Sequence, residues 1–386
     1  MNEIWAEFLD FAKKERTEKN LIRTLPSIED KKGKTIIINN KRVINMSGND
    51  YLGLSNDKRI INKGYELAKR YGAGSTGSRL MSGNLKFIED FEKELAEILK
   101  TERSLIFNSG WHANIALIST FADKNTTVFC DRLNHASIYD GIKLSGASMI
   151  RYHHNNMKDL EEKLKNDNTK KKIIITESVF SMDGDISCLE DIVDLSQKHS
   201  ALLIVDEAHG FGVFGERCTG IIEEKKLQGK VDLIMATFGK ACGVMGSFVA
   251  GDSLLIEHLI NHARPFIFST ALNPFTVGAA REAIKIIQKE RPGKRLIEIS
   301  NNFREELKKS KISYGSSSSH IIPIITGSNE RSLELKEFLF QKGFFCQAIR
   351  PPTVLPGTAR IRLSLNLLIK EEDLKLLLDS IKEFFK

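Results

Sequence analysis

A chain of 386 residues, 41% of them hydrophobic, is long enough for one large core and a second, smaller one. Its net charge of +7 is spread over lysines such as Lys158, Lys163, Lys165, Lys170 and Lys171, which read as a solvated surface rather than a nucleic-acid footprint. The five cysteines (Cys130, Cys188, Cys218, Cys242, Cys346) form no C-x-x-C pair, which argues against structural zinc and against a disulfide framework.

No apolar run is long enough to span a membrane, and the first residues, Met1-Asn2-Glu3-Ile4-Trp5-Ala6-Glu7-Phe8, lack a signal-peptide core. A cytoplasmic protein is expected, with no metal and with neither membrane nor nucleic acid as partner.

In chain order, residues 1–48 read as an N-terminal arm. It holds a helix near Glu3–Glu18 and a hairpin over Lys34–Val43 turned at Asn39-Asn40. Residues 84–100 predict an amphipathic helix, with Ile88, Phe91, Leu95 and Ile98 on one stripe. Strands are then predicted at Ser104–Phe107, Thr127–Cys130, Ser148–Tyr152, Lys172–Thr176, Ala201–Val205, Val231–Met235 and Gly246–Ala250. Helices at His112–Phe121, Ala136–Leu144, Met157–Leu164 and Leu189–Lys198 separate most of them.

Such alternation implies an α/β fold: a mostly parallel seven-stranded sheet between helices, with ligands at the strands' carboxyl ends. A long helical region, Pro274–Lys309, leads to a smaller α+β part. Its predicted elements are strand Ile321–Ile325, helix Arg331–Gln341, strand Phe344–Ile349, strand Arg360–Ser364 and helix Glu371–Phe385. The expected division is an arm at 1–48, a large domain at 49–280 and a small domain at 281–386.

Three short patterns point elsewhere and fail on context. Gly72-Ala73-Gly74-Ser75-Thr76-Gly77 fits the dinucleotide fingerprint but follows a helical stretch, Lys63–Arg70. Gly210-Phe211-Gly212-Val213-Phe214-Gly215 begins too far beyond its strand. Asp206-Glu207-Ala208-His209 spells a helicase-type acidic box, but Gly33-Lys34-Thr35 has Ile28 where a phosphate loop needs glycine.

Thr237-Phe238-Gly239-Lys240 carries more. A lysine amine becomes a nucleophile when it is held still and partly desolvated. A strand end followed by the small-residue loop Ala241–Gly246 is such a setting. Asp206 and His209 follow another apolar strand, so an amine and a carboxylate can share one site. An aldehyde cofactor with a pyridine nitrogen needs both: the lysine for a Schiff base, the acid to keep the ring nitrogen protonated.

With those residues in view the chain resembles pyridoxal-phosphate enzymes of the aspartate-aminotransferase fold type. Among them it is similar to the α-oxoamine synthases, which condense an amino acid with an acyl thioester. The matching stretches run from Asn49 to Asn366. They include Asn49-Asp50-Tyr51-Leu52-Gly53-Leu54, Gly74–Leu80 with Ser82-Gly83, Asn108-Ser109-Gly110-Trp111, Asp131–Ser137, Glu177–Asp185, Asp206–Gly210, Thr237–Lys240 and Ile349–Val354.

The resemblance implies pyridoxal 5'-phosphate and a role for each matched residue. Lys240 is the tethering lysine that also moves the substrate's α-proton, and Asp206 is the ring-nitrogen partner. His135 stacks on the ring, and Ser181 and His209 donate to its phenolic oxygen. Ser109, Gly110 and Trp111, at a helix start, hold the phosphate together with the Thr237 hydroxyl. Thr270 reaches the phosphate from a second subunit. Arg350 grips the amino-acid carboxylate with its planar fork, supported by Asn49 and Thr353. Arg23 contacts the acyl substrate. A homodimer is implied as well.

Within the family, Gly74–Leu80 with Ser82-Gly83-Asn84, and Ala348–Thr353, look most like the members that join L-alanine to a pimeloyl thioester with loss of CO2, a step of biotin synthesis. The thioester is pimeloyl-CoA or a pimeloyl acyl carrier protein. The alternatives are a glycine C-acetyltransferase or another α-oxoamine synthase, and, outside catalysis, a pyridoxal-phosphate-binding regulator.

Overall fold

The computed structural model describes residues 1–386. In chain order the strands are β1 (Asp30–Lys32), β2 (Thr35–Ile38), β3 (Lys41–Asn45), β4 (Arg103–Phe107), β5 (Thr126–Asp131), β6 (Ser148–Tyr152), β7 (Lys171–Glu177), β8 (Leu202–Asp206), β9 (Leu233–Thr237), β10 (Ser247–Gly251), β11 (Ile321–Gly327), β12 (Phe344–Phe345), β13 (Gln347–Ile349) and β14 (Ala359–Ser364). The chain forms two compact units: residues 49–181 with 185–297, and residues 1–48 with 182–184 and 298–386.

The larger unit is built on one seven-stranded sheet in the order β4-β10-β9-β8-β7-β5-β6. β9, β8, β7, β5 and β6 pair in parallel, and β10 runs antiparallel to both of its neighbours. The expected α/β architecture is therefore present, with one reversed strand. β5, β8 and β9 are buried along nearly their whole length, as strands covered on both faces must be. Leu105, Ile118, Val128, Ile175, Ile204 and Met235 belong to the core around this sheet.

Because β5, β7, β8 and β9 are parallel, their carboxyl ends lie on one edge. Asp131, Glu177, Asp206 and Thr237 are the last residues of these four strands. This edge is where an open parallel sheet presents its ligand site.

The strands predicted for the larger unit each appear within a few residues of their expected bounds. The helix expected from His112 begins at Gly110, capped by the Ser109 hydroxyl. The stripe on helix Lys86–Leu99 buries Ile88, Phe91 and Leu95 together with Phe87 and Leu99. Helix Lys58–Tyr71 leads into the first glycine-rich decoy, so a strand is indeed missing there. Helix Ser253–His262 is an addition that the sequence pattern did not indicate.

The region Pro274–Lys309 is two helices, Pro274–Glu290 and Gly293–Lys309, not one. Arg291 adopts a left-handed conformation (φ 50°) as the cap of the first helix, and Pro292 follows.

The smaller unit differs from the expected division. Residues 1–48 do not stand apart as an arm: β3 pairs in parallel with β12, joining β1-β2-β3-β12 into one sheet. The unit boundary falls at 297/298, inside helix Gly293–Lys309, rather than at 280/281. The hairpin β2–β3 turns at Asn39 and Asn40, both left-handed at φ 50° and 58°.

The strand expected at Phe344–Ile349 splits at Cys346. β12 joins β3, whereas β13 pairs antiparallel with β14 in the sheet β11-β14-β13. Helix Glu3–Glu18 forms as expected but buries none of its side chains. No helix is long and apolar enough to cross a membrane.

Candidate active site at the carboxyl ends of the sheet

Lys240 lies three residues beyond β9, in a loop held by its own backbone. Phe238 N–H donates to Gly246 O (2.9 Å), Val244 N–H to Phe238 O (2.9 Å) and Gly243 N–H to Lys240 O (2.9 Å). The Lys240 amine is half-buried, and its Nζ is 2.8 Å from His209 Nε2. The other ring nitrogen of His209, Nδ1, is 2.7 Å from the Tyr51 hydroxyl, which also donates to Asn49 Oδ1 at 3.1 Å. The amine, the imidazole and the phenol thus form one hydrogen-bonded line, with His209 and Tyr51 both buried.

Asp206 ends β8 and is 4% exposed. Its Oδ1 accepts from Ala208 N–H (2.8 Å), and its Oδ2 accepts from the Asn114 amide (2.9 Å). The same Asn114 nitrogen donates to Ser137 Oγ (2.9 Å), and Ser137 Oγ is 2.7 Å from His135 Nδ1. His135 is the N-cap of helix Ala136–Ser145, with its ring open to solvent on one side and edge-on to Trp111 at 6.2 Å. Loss of hydration holds its pKa below the usual histidine value. The Asp206 charge opposes that shift and Lys240 reinforces it.

Two further carboxyls sit behind this line. Glu177, the end of β7, is adjacent to Asp206 in register. Burial, then the charge of Asp206, pushes its pKa far above the usual range, against a smaller pull from Lys240. Burial pushes Glu207 up to about 7, against opposing hydrogen bonds. Those bonds come from Ser178 Oγ (2.6 Å) and Ile222 N–H (2.8 Å). A Cβ on Gly210 or Gly220 would strike the Glu207 carboxylate at 2.1 Å or 2.4 Å. Glycine at these two positions lets the loop after Asp206 close over that carboxylate.

Ser109, Gly110 and Trp111 open helix Gly110–Phe121. Ser109 Oγ accepts from His112 N–H (3.3 Å) and contacts His112 Nδ1 (3.0 Å). The N–H groups of Gly110 and Trp111 have no intrahelical acceptor, so the helix start offers an anion two backbone donors and a favourable dipole.

Thr237 is the last residue of β9. Its hydroxyl donates to Gly246 O (2.8 Å) and accepts from Gly239 N–H (3.0 Å), which shapes the lysine loop. Thr270 is exposed. Its backbone bridges Ser78, and its carbonyl accepts from the Asn108 amide (2.9 Å), beside Ser109. Ser181 is buried within a hairpin closed by Phe180 N–H to Asp185 O (3.0 Å).

Lys240, His209, Asp206, His135, Asn49 and Ser181 all belong to the larger unit, as do Ser109, Gly110, Trp111, Thr237 and Thr270. Arg23, Arg350 and Thr353 belong to the smaller one. There the Arg350 fork is occupied by backbone: Nη1 donates to Asn20 O, and Nη2 to Ile22 O at 3.2 Å. Partial burial, then the charge of Arg23, lowers its pKa from the usual arginine value. Thr353 N–H closes a turn on Arg350 O (3.1 Å).

Sequence reasoning passed over Tyr51, Asn114, Ser137, Glu177 and Glu207. Asn114 had a legible signal: it is a lone amide in the apolar helix sequence Gly110–Phe121. The others become visible only through partners far along the chain.

Comparison with known proteins adds to this geometry. Residues 41–381 match the family model for aminotransferase class I and II. A Bacillus mycoides (strain KBAB4) protein provisionally named 8-amino-7-oxononanoate synthase is 42% identical over 369 residues, 95% of this chain and 93% of its own. A Bacillus anthracis relative with the same provisional name is 41% identical, covering 100% of this chain and 98% of its own.

Among solved structures, a Sphingomonas wittichii serine palmitoyltransferase superposes with TM-score 0.93 at 29% identity, covering 100% of this chain and 98% of its own. The 8-amino-7-oxononanoate synthase of Francisella tularensis superposes at 0.78 and 30% identity, covering 88% and 97%. A high-resolution structure of SPT with its PLP internal aldimine superposes at 0.93 and 27% identity over 100% and 98%.

Proposed function

Since the chain belongs to the class I and II aminotransferase family and is a pyridoxal-phosphate-dependent C-acyl transferase, we propose that it condenses L-alanine with a pimeloyl thioester, releasing CO2 and the free thiol and forming 8-amino-7-oxononanoate for biotin synthesis. The observation that carries the reading is the Lys240 amine just past β9, 2.8 Å from His209 and on the same sheet edge as the buried Asp206 at the end of the neighbouring parallel strand β8. The names of relatives that match nearly the whole chain support the choice of substrates.

The residues present fit the cofactor. The site offers a half-buried amine for an aldehyde, a buried carboxylate for a pyridine nitrogen, an imidazole for the ring face and a capped helix start for a phosphate. Bound there, pyridoxal phosphate supplies an aldehyde and an electron-withdrawing ring that makes the substrate's α-carbon acidic.

The protein's own groups then divide the work. Lys240 Nζ would hold the cofactor's aldehyde carbon between turnovers and would take the α-proton of alanine. Asp206, hydrogen-bonded by the Asn114 amide and Ala208 N–H, would face the ring nitrogen and hold a proton there. His135 would lie against the ring. His209 and Ser181 serve the ring's phenolic oxygen, with Tyr51 setting the direction of the His209 ring. The Ser109-Gly110-Trp111 helix start takes the phosphate, with Thr270 contributed by a second subunit of a homodimer. Thr237 shapes the lysine loop and would add its hydroxyl to the phosphate site. Arg350 takes the alanine carboxylate after exchanging the carbonyls of Asn20 and Ile22 for it, Asn49 and Thr353 support substrate binding, and Arg23 meets the acyl substrate. The reaction is placed in the cytoplasm.

Thiol release tests the substrates directly. Alanine with pimeloyl-CoA, or with pimeloyl carrier protein, should release the free thiol, and glycine with acetyl-CoA should not. The opposite preference would move the protein to glycine C-acetyltransferase, and turnover of serine with palmitoyl-CoA alone to the activity of its structural neighbours.

A further inference from the structure

His154 lies just past β6, outside the line of groups that meets the cofactor. Its ring is held from both ends: Nδ1 is 3.0 Å from Asp131 Oδ1, and Nε2 is 2.7 Å from Asp185 Oδ2. Phe180 stands edge-on to the ring at 4.4 Å. Both carboxylates are buried. Neutral imidazole has one N–H and can donate to only one of them, whereas imidazolium donates to both. Burial alone would lower the His154 pKa, but the hydrogen bonds and charges of Asp131 and Asp185 outweigh it and raise it to about 10.

Asn155 doubles the clamp. In a left-handed conformation (φ 51°), it donates its N–H to Asp131 Oδ2 (3.0 Å) and its amide to Asp185 Oδ2 (3.2 Å).

Each carboxylate organises one loop that reaches the cofactor site. Asp131 accepts Leu133 N–H on Oδ1 (2.8 Å), and its carbonyl accepts Asn134 N–H (3.1 Å). These bonds curl residues 131–135 so that His135 can cap the following helix. Asn134 then spans the end of β7, donating to Ile175 O (2.8 Å) and accepting Glu177 N–H (3.3 Å). Asp185 closes the other loop: its carbonyl accepts Phe180 N–H (3.0 Å), and Val179 bridges Ile186, with Ser181 between them.

We infer that His154 is a positioning residue: as a doubly donating cation it locks the loop of His135 to the hairpin of Ser181, and so sets where the cofactor ring sits. The inference rests on the cofactor site and not on the identity of the thioester, so a reassignment of the acyl substrate leaves it standing.

Its test reads the bound cofactor itself. His154→Gln retains one donor and one acceptor but cannot bridge two carboxylates as a cation. Asp185→Asn loosens the hairpin end alone. In cofactor-loaded protein, both variants should bind cofactor at normal stoichiometry, with the visible circular dichroism per bound cofactor at least halved. The kcat should fall about 10- to 100-fold, the scale of a small misplacement, with the KM for the amino acid little changed. The double variant should be no worse than His154→Gln.

A lower unfolding midpoint with unchanged visible dichroism per cofactor would assign the clamp to stability alone and overturn the inference. So would failure of both variants to fold, or effects of the two changes that multiply.

Discussion

Asn114→Leu isolates the support of Asp206. Leucine keeps asparagine's branching at Cγ and its number of heavy atoms but has bulkier methyl groups, so the change removes the amide and leaves no void at a position that is 1% exposed, at some cost in packing. What is lost is a 2.9 Å hydrogen bond from Asn114 Nδ2 to Asp206 Oδ2, and with it the bond to Ser137 Oγ. A hydrogen bond to a charged group contributes about 1.5–3 kcal/mol, and leaving a buried acceptor with one partner fewer costs on that scale. Asp206 is nearly fully buried, so water does not replace the amide.

If the charged carboxylate is what keeps the ring nitrogen protonated, that energy appears in cofactor affinity and turnover. At about 1.4 kcal/mol per factor of ten, it corresponds to a loss of roughly 10- to 150-fold. The assay is titration of the apoprotein with pyridoxal phosphate, followed by the visible absorbance, with kcat measured at saturating cofactor. Asn114→Asp should do at least as badly, because a second carboxyl would face Asp206 at hydrogen-bond distance. Cofactor affinity and kcat both within twofold of the unmodified protein in Asn114→Leu would refute the role given to Asp206.

Lys240→Ala should abolish turnover and the borohydride-bleachable visible band, and a variant that still turns over would remove Lys240 from the chemistry. Glu207→Gln addresses pH. The Glu207 pKa rises on folding from 4.5 to about 7, so between these values the folded state binds more protons than the unfolded one, and stability falls as pH rises through that window. The loss is about 3 kcal/mol by linkage, and denaturation of Glu207→Gln should lack this slope from pH 4.5 to 7. The His154 pKa is raised as well, so its stabilisation is complete below about 6.5 and is lost as pH approaches about 10. The unfolding midpoint of the native protein should fall over that range, and that of His154→Gln should not. Gly184→Ala should sharply reduce soluble yield, because Gly184 has φ 70° and an added Cβ would stand 1.9 Å from Ile321 O. Ordinary expression and an unchanged midpoint would contradict the packing of Met182–Gly184 in the smaller unit.

The elements were legible in the sequence because their causes are local. β-branched and aliphatic runs mark β5, β7 and β8. The stripe of Ile88, Phe91 and Leu95 marks a helix face, and Asn39-Asn40 marks the hairpin turn, since asparagine tolerates a left-handed backbone. The positions of Asp206 and Lys240 at strand ends were legible for the same reason.

What only the tertiary structure decided is who meets whom. Tyr51 and His209 are 158 residues apart, Asn114 and Asp206 92, and His154 and Asp185 31. No local pattern encodes such pairs, because they arise from the order β4-β10-β9-β8-β7-β5-β6, in which chain neighbours are often not sheet neighbours. The same holds for the split of Phe344–Ile349 between two sheets and for the Arg350 fork resting on the carbonyls of Asn20 and Ile22. Hydrophobic periodicity reports which face of a segment is buried. Hydrogen-bond partners and pKa shifts depend on which other segments bury it, and only the assembled sheet determines that.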